Sequence, residues 1–383
     1  MRVAVNALFL HYPHSGIGQY LLQLTNELAR QYPNDEYRLL VPERAAEASP
    51  FPSNVTIEPV VKRSPGGQRA AKFLWEQRGF PHAGQQRDAD IFHVPYFATP
   101  LTQPVPTVVT IHDVIPLRLP VYKTSGLLQA YNALISYASR RAPLILTVSQ
   151  YSKGDIEATL GIPAERIRVV LEAAGPQFRP VEDPEALAAA RQRYGLGERY
   201  ILYVGGFDDR KNVGALIQAF ARLLADQEEP ELQLMLAGDT ARLGGATYPD
   251  WRPLAQKLGV MARIRTGYVA DADLPLLYSA ASAFAFPSLY EGFGLNPLEA
   301  MACGAPVICS NRTSLPEVVG SAALLVDPEK PEALAASIAQ VLTNAELRAA
   351  LRERGLARAA EFSWKRAATE THAVFEEALK RRV

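Results

Sequence analysis

Cysteine is nearly missing: Cys303 and Cys309 are the only two in 383 residues. That is too few for a disulfide framework and fits a reducing compartment. Net charge is missing as well, because 40 basic residues balance 40 acidic ones. No global field then favours a polyanion, and no nucleic-acid partner is expected. No stretch reaches the ~18 consecutive apolar residues that a membrane span requires. The chain opens on the apolar Arg2–Val5 in place of a charged start and a long apolar run, so a cytoplasmic location is expected. No His or Cys cluster has zinc spacing, and no metal is expected. A dinucleotide fingerprint is also lacking. Ser15-Gly16-Ile17-Gly18 has Leu21 where a third glycine would stand, and the loop from Val5 is too long for that tight turn. This excludes a dehydrogenase on its strongest motif.

What is present is an ordinary globular composition, 48% apolar and 21% charged, in a chain long enough for two domains. Short β-rich apolar runs alternate with helical patterns, the signature of βα units and parallel sheets. The first series of strands is expected near Arg2–Val5, Tyr37–Val41, Ile91–His93, Thr107–Ile111, Leu144–Val148 and Ile167–Val170. The second is expected near Tyr200–Val204, Leu232–Ala237, Ile264–Thr266, Ala283–Phe286, Val307–Ser310 and Ala323–Val326. Gly175–Pro180 and the acidic stretch after it read as a linker. The expected division is a domain at 1–178, a second at 179–364, and a terminal helix at 365–383 packing back on the first. By its pattern that helix is polar enough to lie across a surface. In open parallel sheets ligands bind beyond the carboxyl ends of the strands, so two such domains with those ends facing make a deep cleft.

The most informative segment is Phe286-Pro-Ser-Leu-Tyr-Glu291-Gly-Phe-Gly-Leu-Asn-Pro-Leu-Glu299. Asn296 reads as a helix N-cap, Pro297 as the first helical residue and Glu299 as the third. The glycines at 292 and 294 let backbone amides approach a ligand, and with the helix N-terminus they form an anion site. Carboxylates beside phosphate repel it, so Glu291 and Glu299 suit the neutral hydroxyls of a sugar or ribose. The bland alternative is that Glu299 completes a capping box with Asn296 and Glu291 holds a turn.

Arg210 and Lys211 sit before an expected helix at Ala215–Leu224, where cations oppose the helix dipole unless an anion joins them. A diphosphate is such an anion. Otherwise both are solvated charges offset by Asp208 and Asp209. His112-Asp113 ends a strand and is either a ligand contact or a structural pair; Tyr96 and Ser149 are weaker acceptor-side candidates. Asp271-Ala-Asp273 imitates a metal motif but reads as a helix cap. Lys62–Phe80 mixes cations with aromatics. It suits either contact with an anionic membrane surface, serving a lipid-linked acceptor at the inner face, or a surface helix that buries its aromatics.

The spacing Glu291-Gly-Phe-Gly-Leu-Asn-Pro-Leu-Glu299 resembles the two-glutamate signature of glycosyltransferase family 4. The likeness extends along most of the chain, through the Gly-rich first loop, Ile111-His-Asp-Val-Ile-Pro116, Thr147-Val-Ser-Gln-Tyr-Ser152 and Gly205-Gly-Phe-Asp-Asp-Arg-Lys-Asn212. The resemblance implies a GT-B fold of two facing Rossmann-like domains and retaining transfer from a nucleotide sugar. It also implies that Glu291 meets the donor sugar, Glu299 the ribose, and the amides of Phe293, Gly294 and Leu295 the sugar and phosphates. By the same resemblance His112 touches the donor sugar near the reacting carbon, Gly16 lies nearest the acceptor and diphosphate, and Tyr268 and Val269 line the base pocket. Many members carry an arginine where Gly206 stands, which shifts phosphate work onto Arg210 and Lys211. Asn296 also departs from the family, which more often has proline or a small residue there. Within the family the motifs are most similar to bacterial mannosyltransferases, so GDP-mannose is the expected donor and UDP-glucose or another UDP-sugar the alternative. The expected acceptor is a glycan or lipid-linked sugar, with no cofactor. A silent nucleotide-sugar-binding protein is the rival of another class.

Overall fold

The computed structural model describes residues 1–42, 51–60, 67–123, 125–226 and 231–381. Two compact units emerge, Met1–Glu172 with Ser363–Val383, and Ala173–Phe362. The chain therefore leaves the first unit and returns to it.

The first unit holds a seven-stranded sheet of β1 (Arg2–Asn6), β2 (Glu36–Val41), β3 (Val55–Pro59), β4 (Ile91–Val94), β5 (Thr107–Thr110), β6 (Leu144–Thr147) and β7 (Ile167–Val169). Every pairing is parallel and the order is β3-β2-β1-β4-β5-β6-β7. The second unit holds β8 (Tyr200–Val204), β9 (Gln233–Ala237), β10 (Ile264–Gly267), β11 (Ala283–Phe286), β12 (Val307–Ser310) and β13 (Leu324–Val326), in the order β10-β9-β8-β11-β12-β13. Both orders are Rossmann-like, reversing direction beside the first strand of each series. The central strands are buried along their whole length, as sheets covered on both faces require. Sequence reasoning missed β3, whose short Val-Thr-Ile-Glu-Pro run sits half-exposed at the sheet edge and shows no continuous apolar signal.

The first long helix, Gly16–Gln31, starts where Ser15 Oγ accepts from the Gly18 amide at 3.1 Å. Gly18 is required there, since a Cβ would lie 2.2 Å from the Tyr12 carbonyl oxygen. This helix buries Leu21, Leu24 and Leu28. The terminal helix, Trp364–Lys380, packs against it. Its polar pattern suggested a surface tail, but one face is core: Trp364, Ala367, Ala368, Val374, Phe375 and Ala378 are all buried. His372 stacks on Tyr32 with ring centroids 3.5 Å apart, and its Nε2 lies 2.8 Å from Asp35 Oδ2. Full burial of a Phe375-sized side chain contributes about 2–3 kcal/mol.

Candidate active site

In the second unit the sheet reverses order between β8 and β11, and the loops after those two strands carry the charged residues of interest. After β8 the chain turns at Gly205 with φ 152°, and Tyr203 Oη donates to the Gly206 carbonyl at 2.5 Å. A 3-10 turn, Asp209–Lys211, follows. Asn212 then adopts left-handed φ 55° and ψ 39°, a conformation asparagine tolerates. Its side-chain amide donates to the carbonyls of Pro287 and Pro328 at 3.3 and 2.7 Å, which ties this turn to the loop after β11. The helix Val213–Asp226 begins next.

The loop after β11 brings Glu291 onto that turn. Glu291 Oε1 takes Lys211 Nζ at 2.6 Å and Ser288 Oγ at 2.6 Å, while Oε2 takes Arg210 Nη1 at 2.9 Å. Arg210 also reaches Asp208 Oδ1 through Nε at 2.8 Å and the Tyr290 carbonyl through Nη1 at 2.8 Å. These cations are therefore not solvated charges, and the carboxylate across from Lys211 is Glu291, not Asp209. Lys211 is only 7% exposed. Its ammonium lies 4.8 Å from the Phe286 ring centroid, and two of its three N–H donors have no hydrogen-bond acceptor among the described residues. Burial and the nearby Arg210 charge lower the Lys211 pKa against the pull of Glu291. Burial alone would raise the Glu291 pKa. Arg210, Lys211 and the hydrogen bonds from Lys211 and Ser288 outweigh it and hold the group down at about 2. A carboxylate offers about four acceptor positions. Three are used here, by Lys211, Ser288 and Arg210.

The helix after this loop starts two residues earlier than the sequence reading placed it. It spans Leu295–Ala302, with Gly294 at the cap in a φ of 128°. Asn296 is thus its second residue, Pro297 the third and Glu299 the fifth, so the capping-box arrangement is excluded. Gly294 is confined by packing, since a Cβ there would lie 2.8 Å from Leu315 Cδ2. The amides of Phe293, Gly294 and Leu295 lead into this N-terminus. Ser314 Oγ lies 2.6 Å from the Phe293 carbonyl oxygen and Thr313 Oγ1 accepts from the Glu291 amide at 3.0 Å, which pins the loop from the side of β12.

Glu299 accepts from Tyr278 Oη at 3.2 Å. Burial raises its pKa to about 8, with Asp271 adding to the effect and the Tyr278 hydroxyl opposing it. One loop and one helix therefore hold two carboxyl groups in opposite states near neutral pH, a separation that functional sites use. Asp273 occupies the cap position of the helix Leu274–Ala280 without capping it. Its carboxylate takes the Tyr194 hydroxyl at 2.7 Å and pairs with Arg193. Among the described residues no group of three or more His, Cys, Asp or Glu is arranged for a metal. Gly206 lies in the turn after β8, where a Cβ would sit 3.3 Å from Asp208 Oδ2. After β10, Tyr268 stands 61% exposed and Val269 is buried.

The remaining candidates belong to the first unit. Gly16 opens the first helix with open space where a side chain would stand. Tyr96 is buried, and Ser149 caps the helix Gln150–Leu160 by accepting from the Ser152 amide at 3.0 Å. His112 follows β5, but the carboxylate holding it is Glu172, 3.0 Å from Nδ1, while Asp113 turns back onto the Ile115 amide at 2.9 Å. Sequence reasoning missed Glu172 and Thr313, which lie outside the motifs it used, and Ser288, which lies inside one but carries no charge to single it out. In the segment Lys62–Phe80, Lys62 and Arg63 lie outside the described residues. Trp75 and Phe80 are buried, whereas Phe73 is 38% exposed.

Comparison with known proteins follows the same division. A family model described as Glycosyltransferase Family 4 matches residues 14–172, and one described as Glycosyl transferases group 1 matches 188–358. O-antigen chain mannosyltransferase B of Escherichia coli is 35% identical over 94% of this chain and 96% of its own length. The serotype-specific mannosyltransferase WbdA of Escherichia coli is 32% identical over 68% of this chain, which spans only 32% of that longer protein. Among solved structures, sucrose-phosphate synthase from Thermosynechococcus elongatus superposes with a TM-score of 0.78 at 21% identity, covering 100% of both chains. WaaG, a glycosyltransferase involved in lipopolysaccharide biosynthesis, gives 0.75 at 18% identity over 98% of this chain and 99% of its own.

Proposed function

Because the chain belongs to glycosyltransferase family 4, we propose that it moves mannose from GDP-mannose to a glycan or lipid-linked acceptor, retaining the anomeric configuration without a metal. Its fold is GT-B, and its activity is that of a hexosyltransferase. Mannose is favoured by the near-full-length likeness to a bacterial mannosyltransferase. Should UDP-glucose prove the donor instead, the same residues would serve it.

One observation carries the mechanism: Lys211 is a buried ammonium with two donors to spare. It stands beside Arg210 and on the same loop cluster as the helix starting at Leu295. As the sugar–phosphate bond lengthens, negative charge grows on the departing diphosphate. Fixed cations and helix amides stabilise that charge without reorganising, and a donor of this kind contributes ~3 kcal/mol to the transition state. Beyond its contacts with Lys211, Ser288 and Arg210, the Glu291 carboxylate can accept a further hydroxyl, and it suits a sugar hydroxyl in that way. Glu299, ordinarily protonated here, would lose its proton to accept from ribose hydroxyls. We assign no covalent nucleophile. The acceptor hydroxyl attacks on the leaving-group face, and the departing phosphate takes its proton.

Association with an anionic membrane surface is part of the proposal. It is supported by the exposed Arg69, Lys72 and Arg78 in the same segment as Phe73, which is 38% exposed. No helix among the described residues is long and apolar enough to cross a membrane. The test is incubation of the protein with radiolabelled GDP-mannose or UDP-glucose, a mannose-terminated acceptor, and EDTA in a parallel tube. Transfer from GDP-mannose that survives the chelator is the expected result. Loss of transfer with EDTA would overturn the metal-free mechanism, and donor binding without turnover would favour a silent binding protein.

A further inference from the structure

Both ring nitrogens of His112 face acceptors. Nδ1 lies 3.0 Å from Glu172 Oε1, and Nε2 lies 3.0 Å from the Pro95 carbonyl oxygen. A carbonyl has no proton to give, so Nε2 must carry one. Nδ1 then either donates to an ionised Glu172 or accepts from a protonated one. The geometry, with an acceptor at each ring nitrogen, favours the ionised pair, and the direction of the His112 shift agrees with it. Glu172 is only 3% exposed, and among the described residues His112 is the one side chain that hydrogen-bonds its carboxylate. Burial pulls the His112 pKa down, but Glu172, the Pro95 carbonyl and Asp113 together raise it. The neighbouring His93 is driven the other way, to about 3, by burial and by the His112 charge.

The surroundings hold this ring in place from every packed element. Tyr20, from the helix Gly16–Gln31, meets it edge-on with centroids 4.7 Å apart, and Tyr20 Oη lies 3.0 Å from Thr110 Oγ1. Thr110 Oγ1 is in turn 3.1 Å from His93 Nε2 on β4. From the helix Gln150–Leu160, Ser152 Oγ donates to the His112 carbonyl at 2.9 Å. The terminal helix adds Trp364 against Tyr20 and Phe375 against His93, both uncharged. Asp113 and Glu172 are thus the negative groups that face the ring, and only Glu172 bonds it. Glu172 is also the residue at which the chain leaves the first unit.

We propose that Glu172 is a positioning residue for sugar transfer: it locks His112 as a doubly protonated cation at the carboxyl end of β5, so the ring carries a fixed positive charge and is not a switchable acid or base. The proposal rests on the transfer reading, in which the family resemblance gives His112 a contact with the donor sugar. With both nitrogens engaged, His112 has no proton to exchange during turnover. Its charge persists to higher pH than that of a free histidine.

The test uses the full chain labelled with 15N-histidine. Ring nitrogens are followed from pH 5.5 to 8.5, and His112 is identified by its loss in H112Q. Both His112 nitrogens should keep protonated-type shifts beyond pH 7.5 in the wild type. In E172Q burial prevails, so the ring loses its charge at a lower pH than in the wild type, and kcat gains a limb that falls as pH rises. E172D, which keeps a carboxylate, should restore the flat profile. A wild-type His112 titrating near the ordinary ~6.5 would overturn the proposal, as would an E172Q profile lowered at every pH without a change of shape. If E172Q does not fold, the wild-type spectra and E172D decide. Should the chain transfer no sugar at all, those spectra still uphold or overturn the locked pair, so the two failures are distinguishable.

Discussion

Removing the charge of Lys211 should weaken the fold and the chemistry together, and a double-mutant cycle separates the two. The Glu291 carboxyl stands at about 2 against an ordinary 4.5, a preference for the ionised form of about 3 kcal/mol at 1.36 kcal/mol per unit. Because the folded value is depressed, that stability is present above pH ~4.5 and is lost as pH falls toward ~2. Arg210 is the larger contributor and Lys211 the next. Lys211→Met therefore leaves Glu291 with Arg210 and Ser288, and should cost about 1–3 kcal/mol of unfolding free energy. Glu291→Gln leaves an ammonium in the interior with its counter-charge gone, and should cost about 3–5 kcal/mol. The double variant carries neither buried charge and should recover part of that loss. Transfer behaves differently: Lys211→Met should lower kcat/KM a few hundredfold, about 3 kcal/mol, with no recovery in the double variant. Urea unfolding and initial-rate assays on the four proteins give both cycles. If Lys211→Met lost stability but kept kcat/KM within a factor of two, Lys211 would be a counter-ion and the diphosphate assignment would fail.

Three further outcomes follow from geometry already described. Glu299 is protonated when folded but ionised when unfolded between pH ~4.5 and ~8, so it makes stability fall as pH rises through that window. Glu299→Gln should flatten that part of the profile. It should also abolish the proton release on donor binding that calorimetry in buffers of different ionisation enthalpy would detect at pH 7.5. A buffer-independent enthalpy in the wild type would contradict this. Gly294→Ala combines a left-handed φ of 128° with a contact of 2.8 Å to Leu315, so a loss of at least ~1–3 kcal/mol is expected by thermal unfolding; an unchanged melting temperature would count against the cap geometry. Phe375→Ala opens a cavity where the ring is fully buried and should cost ~3–5 kcal/mol of stability, measured by urea titration. A cost below ~1 kcal/mol would show that the terminal helix contributes little to the core.

The two parallel sheets were legible because their central strands are continuous apolar runs, whereas β3 is not. Edge position took that signal from β3. Arg210, Lys211, Glu291 and Glu299 were legible as residues that follow strands, and their motif carries a spacing. Their partners were not legible. Glu291 meets Lys211 across 80 positions of sequence, and Glu172 meets His112 across 60. Nothing local encodes such pairings, since they depend on which strands lie side by side. The helix start was misplaced for a related reason. Asn296 has the chemistry of a cap, but the space beside Leu315 admits only glycine at 294 and moves the start upstream. Tertiary packing overruled local preference.

The discontinuous first unit has a consequence for how the protein is made. Its first 172 residues emerge from the ribosome long before Ser363 does, yet the helix that covers the Leu21–Leu28 stripe and meets Tyr20, His93 and Asp35 is encoded after the second unit. At ~5–20 residues per second the nascent chain waits about 10–40 s with that apolar face uncovered. During the wait Ala173–Phe362 is synthesised in full and can settle first, so the part translated later matures earlier. A translational pause or a truncation before Trp364 would leave the early portion exposed, and chaperone dependence should concentrate there.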